Sequence, residues 1–278
     1  MIVPSIWMKP DRARTYHYLT KFKIKSIRCL TNTETNKVFS FEAQTPTCYF
    51  CLENFPCCDK PTISLYDRDK RTYIKYPLAY EAPIPVFGAS VVAKLRPFVE
   101  AYGCVKPIKT NTPRAGSVFS DVQDSSHPYP NIRTAILKGV SPRLVVNYSN
   151  TPQAYYGVCK LVMPHKMYGF PYIDATGSYG ISNRDNYVIV GRSLEDLEIL
   201  RQFFSTMTAL YIFETTRYRM KYLERYAFEF IPDVLNMPCF GEITDESIAN
   251  RFGFDNVDRS NIMNLHRKKY DFNYINVG

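Results

Sequence analysis

The sequence predicts an α+β protein: a mixed β-sheet with packed helices, ending in a C-terminal helical hairpin. Three observations predict it. The first eighty residues carry short segments of period two, such as KFKIK, TISLY and TYIKY, the mark of half-buried strands. Apolar runs at RLVVNYS, VCKLVMP and NYVIVG read as buried strands. From Ser193 onward apolar residues recur at helical spacing, and a second capped helical segment opens at Thr244. A chain of 278 residues can bury one large core or two small ones. Prolines cluster between Pro83 and Pro130. They place a boundary near residue 130, between a β-rich region at 1–130 with a Cys cluster and Pro-rich linker and an α+β domain at 131–278.

The elements follow in order. Lys21, Lys23 and Lys25 alternate with Phe22 and Ile24, which describes a strand with one basic face. KVFSFEA, the Cys-rich TCYFCLENFPCCDK, and TISLY with TYIKY around Asp67-Arg68-Asp69-Lys70 read as short strands and turns, the last pair as a hairpin. A helix fits Ser90 to Tyr102, and the Ser-, Thr-, Asn- and Pro-rich stretch from Pro107 to Pro130 is a long loop. After the three apolar strands, Ser193 and Asp196 form a capping box. Leu197, Leu200, Phe204, Met207 and Leu210 then mark one helix face. A further helix is predicted from Thr216 to Phe230, with Met220, Leu223, Ala227 and Phe230 inward and Pro232 as its stop. Thr244 caps the first helix of the closing hairpin. It resembles half of a helix-turn-helix, but Asp255 and Asp258 would set negative charge against DNA, so the pair reads as packing.

Composition narrows the function. Lys and Arg number 35 against 26 Asp and Glu, a net charge of +9, which favours phosphates or acidic surfaces as partners. The 22 Tyr and 18 Phe suit interfaces as well as cores. Charged residues at Lys9, Asp11, Arg12 and Arg14 interrupt the start, so neither a signal peptide nor a membrane span is expected. Eight scattered Cys without a secretory leader predict thiols in a reducing, intracellular setting.

Candidate chemistry is sparse. Cys48-x-x-Cys51 with Cys57, and Cys29 upstream, is the one set with zinc-ligand character, because two thiolates two residues apart can share a tight knuckle. The alternative is small buried apolar side chains. Arg217, Lys221 and Arg225 stand at i, i+4 and i+8 of the predicted helix, beside Tyr218, Tyr222 and Tyr226. That row suits a phosphate backbone, or else a solvated face flanked by Glu224 and Glu229, with Glu214 or Arg217 pairing locally. His165 and Asp174 flank a glycine turn without a positioned nucleophile. Neither a GxxxxGK[ST] loop nor a dinucleotide fingerprint occurs.

The block KLVMPHKMYGFPYIDATGSYGISNRDNYVIV, followed by FFSTMTALYIF and TRYRMKYLERYAFEFIPDV, resembles the target-recognition part of type I and type IIG adenine-specific DNA methyltransferases. It is similar also to stand-alone or degenerate versions encoded by large nucleocytoplasmic DNA viruses. The likeness covers residues 140 to 240 or so, and its motifs are loose. It implies a target-recognition-like fold and DNA-sequence reading beside a catalytic partner. The Asn/Asp-Pro-Pro-Tyr tetrapeptide and a Gly-rich S-adenosylmethionine loop are absent, so no catalytic residue carries over.

The function expected is therefore a non-catalytic DNA-binding module. Phosphates would meet Lys21, Lys23, Lys25, Arg217, Lys221 and Arg225, and bases would meet the loop from Tyr179 to Arg184. Its partners would be DNA and either a separate methyltransferase subunit or capsid proteins. Two other readings stay open: a virion structural protein, and a divergent metal-dependent nuclease using Asp174 with Asp185.

Overall fold

Alternating side chains build the first sheet. The computed structural model describes residues 2–40, 45–56, 61–79, 81–138, 141–166, 169–219, 222–238 and 241–265. The α+β class holds, and the chain divides into two compact units. One comprises Met1–Cys104, Tyr211–Pro232 and Ile248–Leu265; the other, among the described residues, comprises Val105–Leu210 and Asp233–Ser247. The division falls at Cys104, ahead of the boundary expected near residue 130, and later chain segments complete the first unit.

In the first unit, β1 (Ile2–Pro4), β2 (Phe22–Leu30), β3 (Thr47–Pro56), β4 (Thr62–Asp67) and β5 (Thr72–Pro77) form one sheet in the order β1-β3-β2-β4-β5. Only β2 and β4 run parallel. Period two sends Ile24, Ile27, Phe50, Ile63, Leu65 and Tyr76 to a buried face, each worth about 1.5–3 kcal/mol of burial. There α3 (Ala89–Tyr102) packs on β4 and β5, burying Val91, Val92 and Leu95. Its N-cap, Gly88, has φ +67°, and a Cβ there would sit 2.7 Å from Tyr211 Cε1. Glycine offers no capping side chain, so Asp67 supplies the acceptor from outside: its carboxylate takes Ser90 N–H at 2.9 Å and Asp69 N–H at 3.0 Å. That bond ties the expected Asp67–Lys70 hairpin turn to the helix.

Two short helices precede β3: α1 (Thr15–Leu19) and α2 (Asn32–Phe39). The second corrects the sequence reading, which made KVFSFEA a strand. Thr31 and Glu34 form a complete capping box, and this start signal governs the segment up to Phe39.

The second unit holds two four-stranded sheets. Its strands are β6 (Ile108–Lys109), β7 (Phe119–Ser120), β8 (Tyr129–Lys138), β9 (Ser141–Ser149), β10 (Lys160–Pro164), β11 (Tyr172–Asp174), β12 (Gly180–Ile181) and β13 (Asn186–Ile189). The sheet orders are β11-β10-β13-β6 and β12-β8-β9-β7. Ile132, Val162, Ile181 and Val188 meet in the core. The three apolar strands of the sequence are β9, β10 and β13. Against β10 and β11 packs α4 (Leu194–Phe204), whose N-cap Ser193 accepts Asp196 N–H at 3.0 Å.

The single helix expected after Ser193 is two. It breaks at Ser205 and Thr206, and α5 (Met207–Thr215) begins afresh. Asp245 caps that start, accepting Met207 N–H at 3.0 Å and Thr208 N–H at 2.8 Å. The helix expected from Thr216 to Phe230 is absent as drawn. The described residues there form irregular chain and a 3-10 turn at Arg225–Phe230. Leu223, Ala227 and Phe230 are nonetheless buried, so these three inward residues were read correctly and their backbone was not; Met220 is outside the described residues.

The C-terminal helical hairpin is present as α6 (Asp245–Arg251) and α7 (Asn256–Met263). Thr244 Oγ1 accepts Ser247 N–H at 3.1 Å, and Asp255 with Asp258 caps α7. In the first unit the hairpin packs by Phe252 on Phe98, ring centroids 4.8 Å apart. Asp258 is buried and Asp255 exposed, and both acids are paired: Lys70 reaches Asp255 at 2.8 Å, and Lys94 bonds both. No helix among the described residues is long and apolar enough to cross a membrane.

Candidate nucleic-acid interface

The basic alternation of β2 becomes the outer face of the first unit's sheet. Opposite the buried Ile24 and Ile27, the strand turns Lys23, Lys25, Ser26 and Arg28 outward. Register shifts between Ile24 and Ser26, so Lys25 is an inserted bulge residue. A bulge sets two successive residues on the bulged strand against one on its partner. Here it leaves Lys25 and Ser26 both outward, while Lys23, two residues before Lys25, shares that face: the Lys25 and Lys23 ammonium groups reach Glu53 of β3, at 2.5 and 2.9 Å. The lysine bonds hold the Glu53 carboxyl below its usual range, and the Glu53 bond raises Lys25. Lys21 is exposed in the turn before the strand.

One residue row crosses this face. Ile2 pairs with Tyr49, Tyr49 with Arg28, and Tyr66 with Tyr73. The β2–β4 register, Ile27 beside Leu65, sets Arg28 next to Tyr66. The Arg28 guanidinium lies 4.2 Å from the Tyr66 ring centroid, and Tyr66 meets Tyr73 edge-on at 5.2 Å. Partial burial raises the Tyr73 pKa, with the neighbouring Tyr49 adding to the shift, and these two rings are 37% and 48% exposed. Lys75, one outward step along β5, is exposed as well. Sequence reasoning found the lysines of β2 and missed Arg28, Tyr49, Tyr66, Tyr73 and Lys75. The signal was there: in TCYFC, TISLYD and TYIKYP the tyrosines of interest share parity with Ser64, Cys51 and Lys75, the exposed set.

Within the second unit, the Gly- and Tyr-rich turn is organised by a closed charge pair. Lys160 is fully buried and donates to Asp174 Oδ2 at 2.5 Å and to the carbonyls of Tyr155, Val158 and Tyr179 at 3.0, 3.1 and 2.6 Å. Asp174 in turn accepts the Ser178 and Tyr179 amides, each at 2.9 Å. Burial lowers the Lys160 pKa, and the bond to Asp174 opposes that shift. At Gly177, φ is +71° and a Cβ would lie 2.4 Å from Val158 N, so the turn needs glycine. Tyr179 is partly buried, packed against the core and edge-on to Tyr172. Arg184 is exposed on a turn braced by Asn183 and Asn186, whose side-chain amides both donate to the Arg133 carbonyl, at 2.7 and 3.0 Å.

The other candidates do not assemble as the sequence drew them. Arg217 follows the end of α5 and pairs with Glu214 at 2.8 Å. Arg225 lies in the 3-10 turn, bonded to the Tyr226 hydroxyl at 2.9 Å, and Lys221 is outside the described residues. The i, i+4, i+8 row therefore has no helix beneath it. Cys48 and Cys51 occupy opposite faces of β3, the first buried and the second exposed. Cys29 is directly across from Cys48, which takes the Trp7 indole N–H at 3.0 Å. Cys57 is outside the described residues. No group of three or more His, Cys, Asp or Glu among the described residues is arranged to hold a metal. His165 meets Tyr187 edge-on, while Asp174 is occupied by Lys160. No protein-family model matches the chain, and no curated protein sequence matches it.

Proposed function

We propose that the protein is a non-catalytic DNA-binding module, the role its resemblance to target-recognition domains implies. One observation carries this reading. The outer face of the β1–β5 sheet presents Lys23, Lys25, Arg28 and Lys75, with Glu53 as the carboxylate among them. Exposed ion pairs of the Lys–Glu kind hold weakly against water and salt, so a phosphate can take the place of Glu53. Each neutralised phosphate releases counterions, and this makes such binding fall steeply with salt.

The reading also agrees with where the acid–base candidates lie. Asp174 is spent on Lys160 and two backbone amides, which leaves it a structural acceptor. The test is retention on columns carrying native and denatured DNA, eluted with a salt gradient. The wild-type protein is expected to bind and to elute with salt, and a Lys21→Ala/Lys23→Ala/Lys25→Ala variant to elute earlier. Flow-through from both columns at low salt would falsify the proposal.

A further inference from the structure

We propose that the outer face of the β1–β5 sheet takes single-stranded nucleic acid, with unpaired bases stacked on Tyr49 and Tyr73 and phosphates held by Lys75 and the β2 cations. This rests on the DNA-binding reading and specifies its ligand. A strand array is a plane, and its aromatic rings stand on it as platforms for a ligand with free π-faces. Duplex DNA hides its base faces within the stack and shows a protein only phosphates and groove edges. An unpaired strand exposes both faces of each base and can lay them on tyrosines while its backbone tracks a basic groove.

The geometry of the row suits that ligand. Three strand intervals separate the backbones of Tyr49 and Tyr73, about 14 Å at the usual strand spacing, a span that a few nucleotides of extended strand cover. Between them Arg28 is stacked on Tyr66, with its Nε buried and meeting no acceptor among the described residues. A buried donor without a partner is costly, and a phosphate or base-edge oxygen reaching into the row would satisfy it. The cations Lys23, Lys25 and Lys75 flank the aromatic row, so charge and stacking lie on one surface. A structural explanation for the tyrosines alone, packing beneath a neighbouring element, does not fit rings that stay exposed among the described residues.

Fluorescence anisotropy with three probes tests this: labelled oligo(dT), the same strand annealed to its complement, and an abasic strand carrying phosphates without bases. The wild-type protein is expected to bind oligo(dT) more tightly than either of the others. Tyr49→Ala/Tyr73→Ala should weaken oligo(dT) binding about thirtyfold or more and leave the abasic strand's affinity unchanged. Tyr49→Phe/Tyr73→Phe keeps the rings and should keep the affinity, which separates stacking from damage to the fold; a melting curve of each variant checks that fold directly. Equal affinity for all three probes, or a Tyr→Ala pair that binds oligo(dT) as the wild type does, overturns the single-strand proposal and leaves DNA binding standing. Failure of every probe to bind at low salt overturns both.

Discussion

Lys160 with Asp174 in one unit, and Lys23 and Lys25 with Glu53 in the other, are similar charge pairings in opposite settings. The first is sealed, with the two side chains at most 2% exposed and every lysine hydrogen directed at an acceptor or shared among four of them. Its function is to pin the chain around Gly177. The second stands in water, and its lysine side chains are more than half exposed. Removing a charge from water costs several kcal/mol per ion in a folded protein, so the sealed pair has no freedom to exchange its partner. The open pair loses little when a new anion arrives. Residue type alone does not separate a sealed charge pair from an exchangeable one; solvent access does.

The sealed pair should therefore give the largest effect on stability. Lys160→Met leaves Asp174 buried with two amide donors and no counter-charge, and should cost about 3–5 kcal/mol, measured as a fall in urea unfolding free energy. Asp174→Asn should cost a comparable amount by stranding the ammonium. In the double variant no uncompensated charge remains, so its cost should be well below the sum of the two. Strict additivity would show that the two residues do not act as a pair.

A third charge cluster lies between these extremes. Asp255 is 47% exposed but binds Lys70 and Lys94, and the Lys70 hydrogen bond leads the causes that hold its carboxyl well below the usual range. A depressed carboxylate pKa gives stability that is complete above the unfolded-state value near 4. That stability is lost as pH falls through the lower folded-state value. Exposure limits the contribution to about 1 kcal/mol or less. Acidifying below about pH 4 should thus lower the hydrogen-exchange protection of α7, measured against the intrinsic rate at each pH, before that of the β1–β5 strands. An Asp255→Asn protein should show faster α7 exchange at neutral pH and less change on acidification.

How much of this was legible beforehand differs by element. Strands announced by apolar runs, LVMP in β10 and YVI in β13, were found because burial on both faces favours such runs. The helix at α3 was legible, though its cap was not: Gly88 carries no side chain, and the acceptor comes from Asp67, more than twenty residues upstream. Likewise α5 starts where Asp245 caps it from far along the chain, so the break at Ser205 had no local warning strong enough to outweigh the continuing apolar period. At α2 the warning was local and overlooked, because Thr31 and Glu34 outweigh the alternation of KVFSF. The candidate site shows the same division. Lys21, Lys23 and Lys25 were visible as one strand's pattern, whereas the Tyr49–Arg28–Tyr66–Tyr73 row depends on the register of four strands, which no single segment encodes.

Smallest in stability, and sharpest for function, is the change Glu53→Gln. Both partners of Glu53 are exposed lysines, so the melting temperature should stay where it is. Binding should not. In the wild-type protein a phosphate must displace the carboxylate that Lys25 and Lys23 hold at 2.5 and 2.9 Å; in the variant the two ammonium groups are free from the start. DNA retention should then move to higher salt, and the slope of log affinity against log salt should steepen by about 0.7–0.9 for each added phosphate contact. A structural role for the lysine row gives the opposite pattern, a lower melting temperature with DNA retention unaltered. Because the substitution removes negative charge anywhere it is made, Glu100→Gln on the exposed side of α3, where Arg96 is the partner, serves as the reference. If the two variants shift retention equally, net charge alone explains the gain. A larger shift from Glu53→Gln locates the phosphate contacts on the face where Lys23 and Lys25 meet.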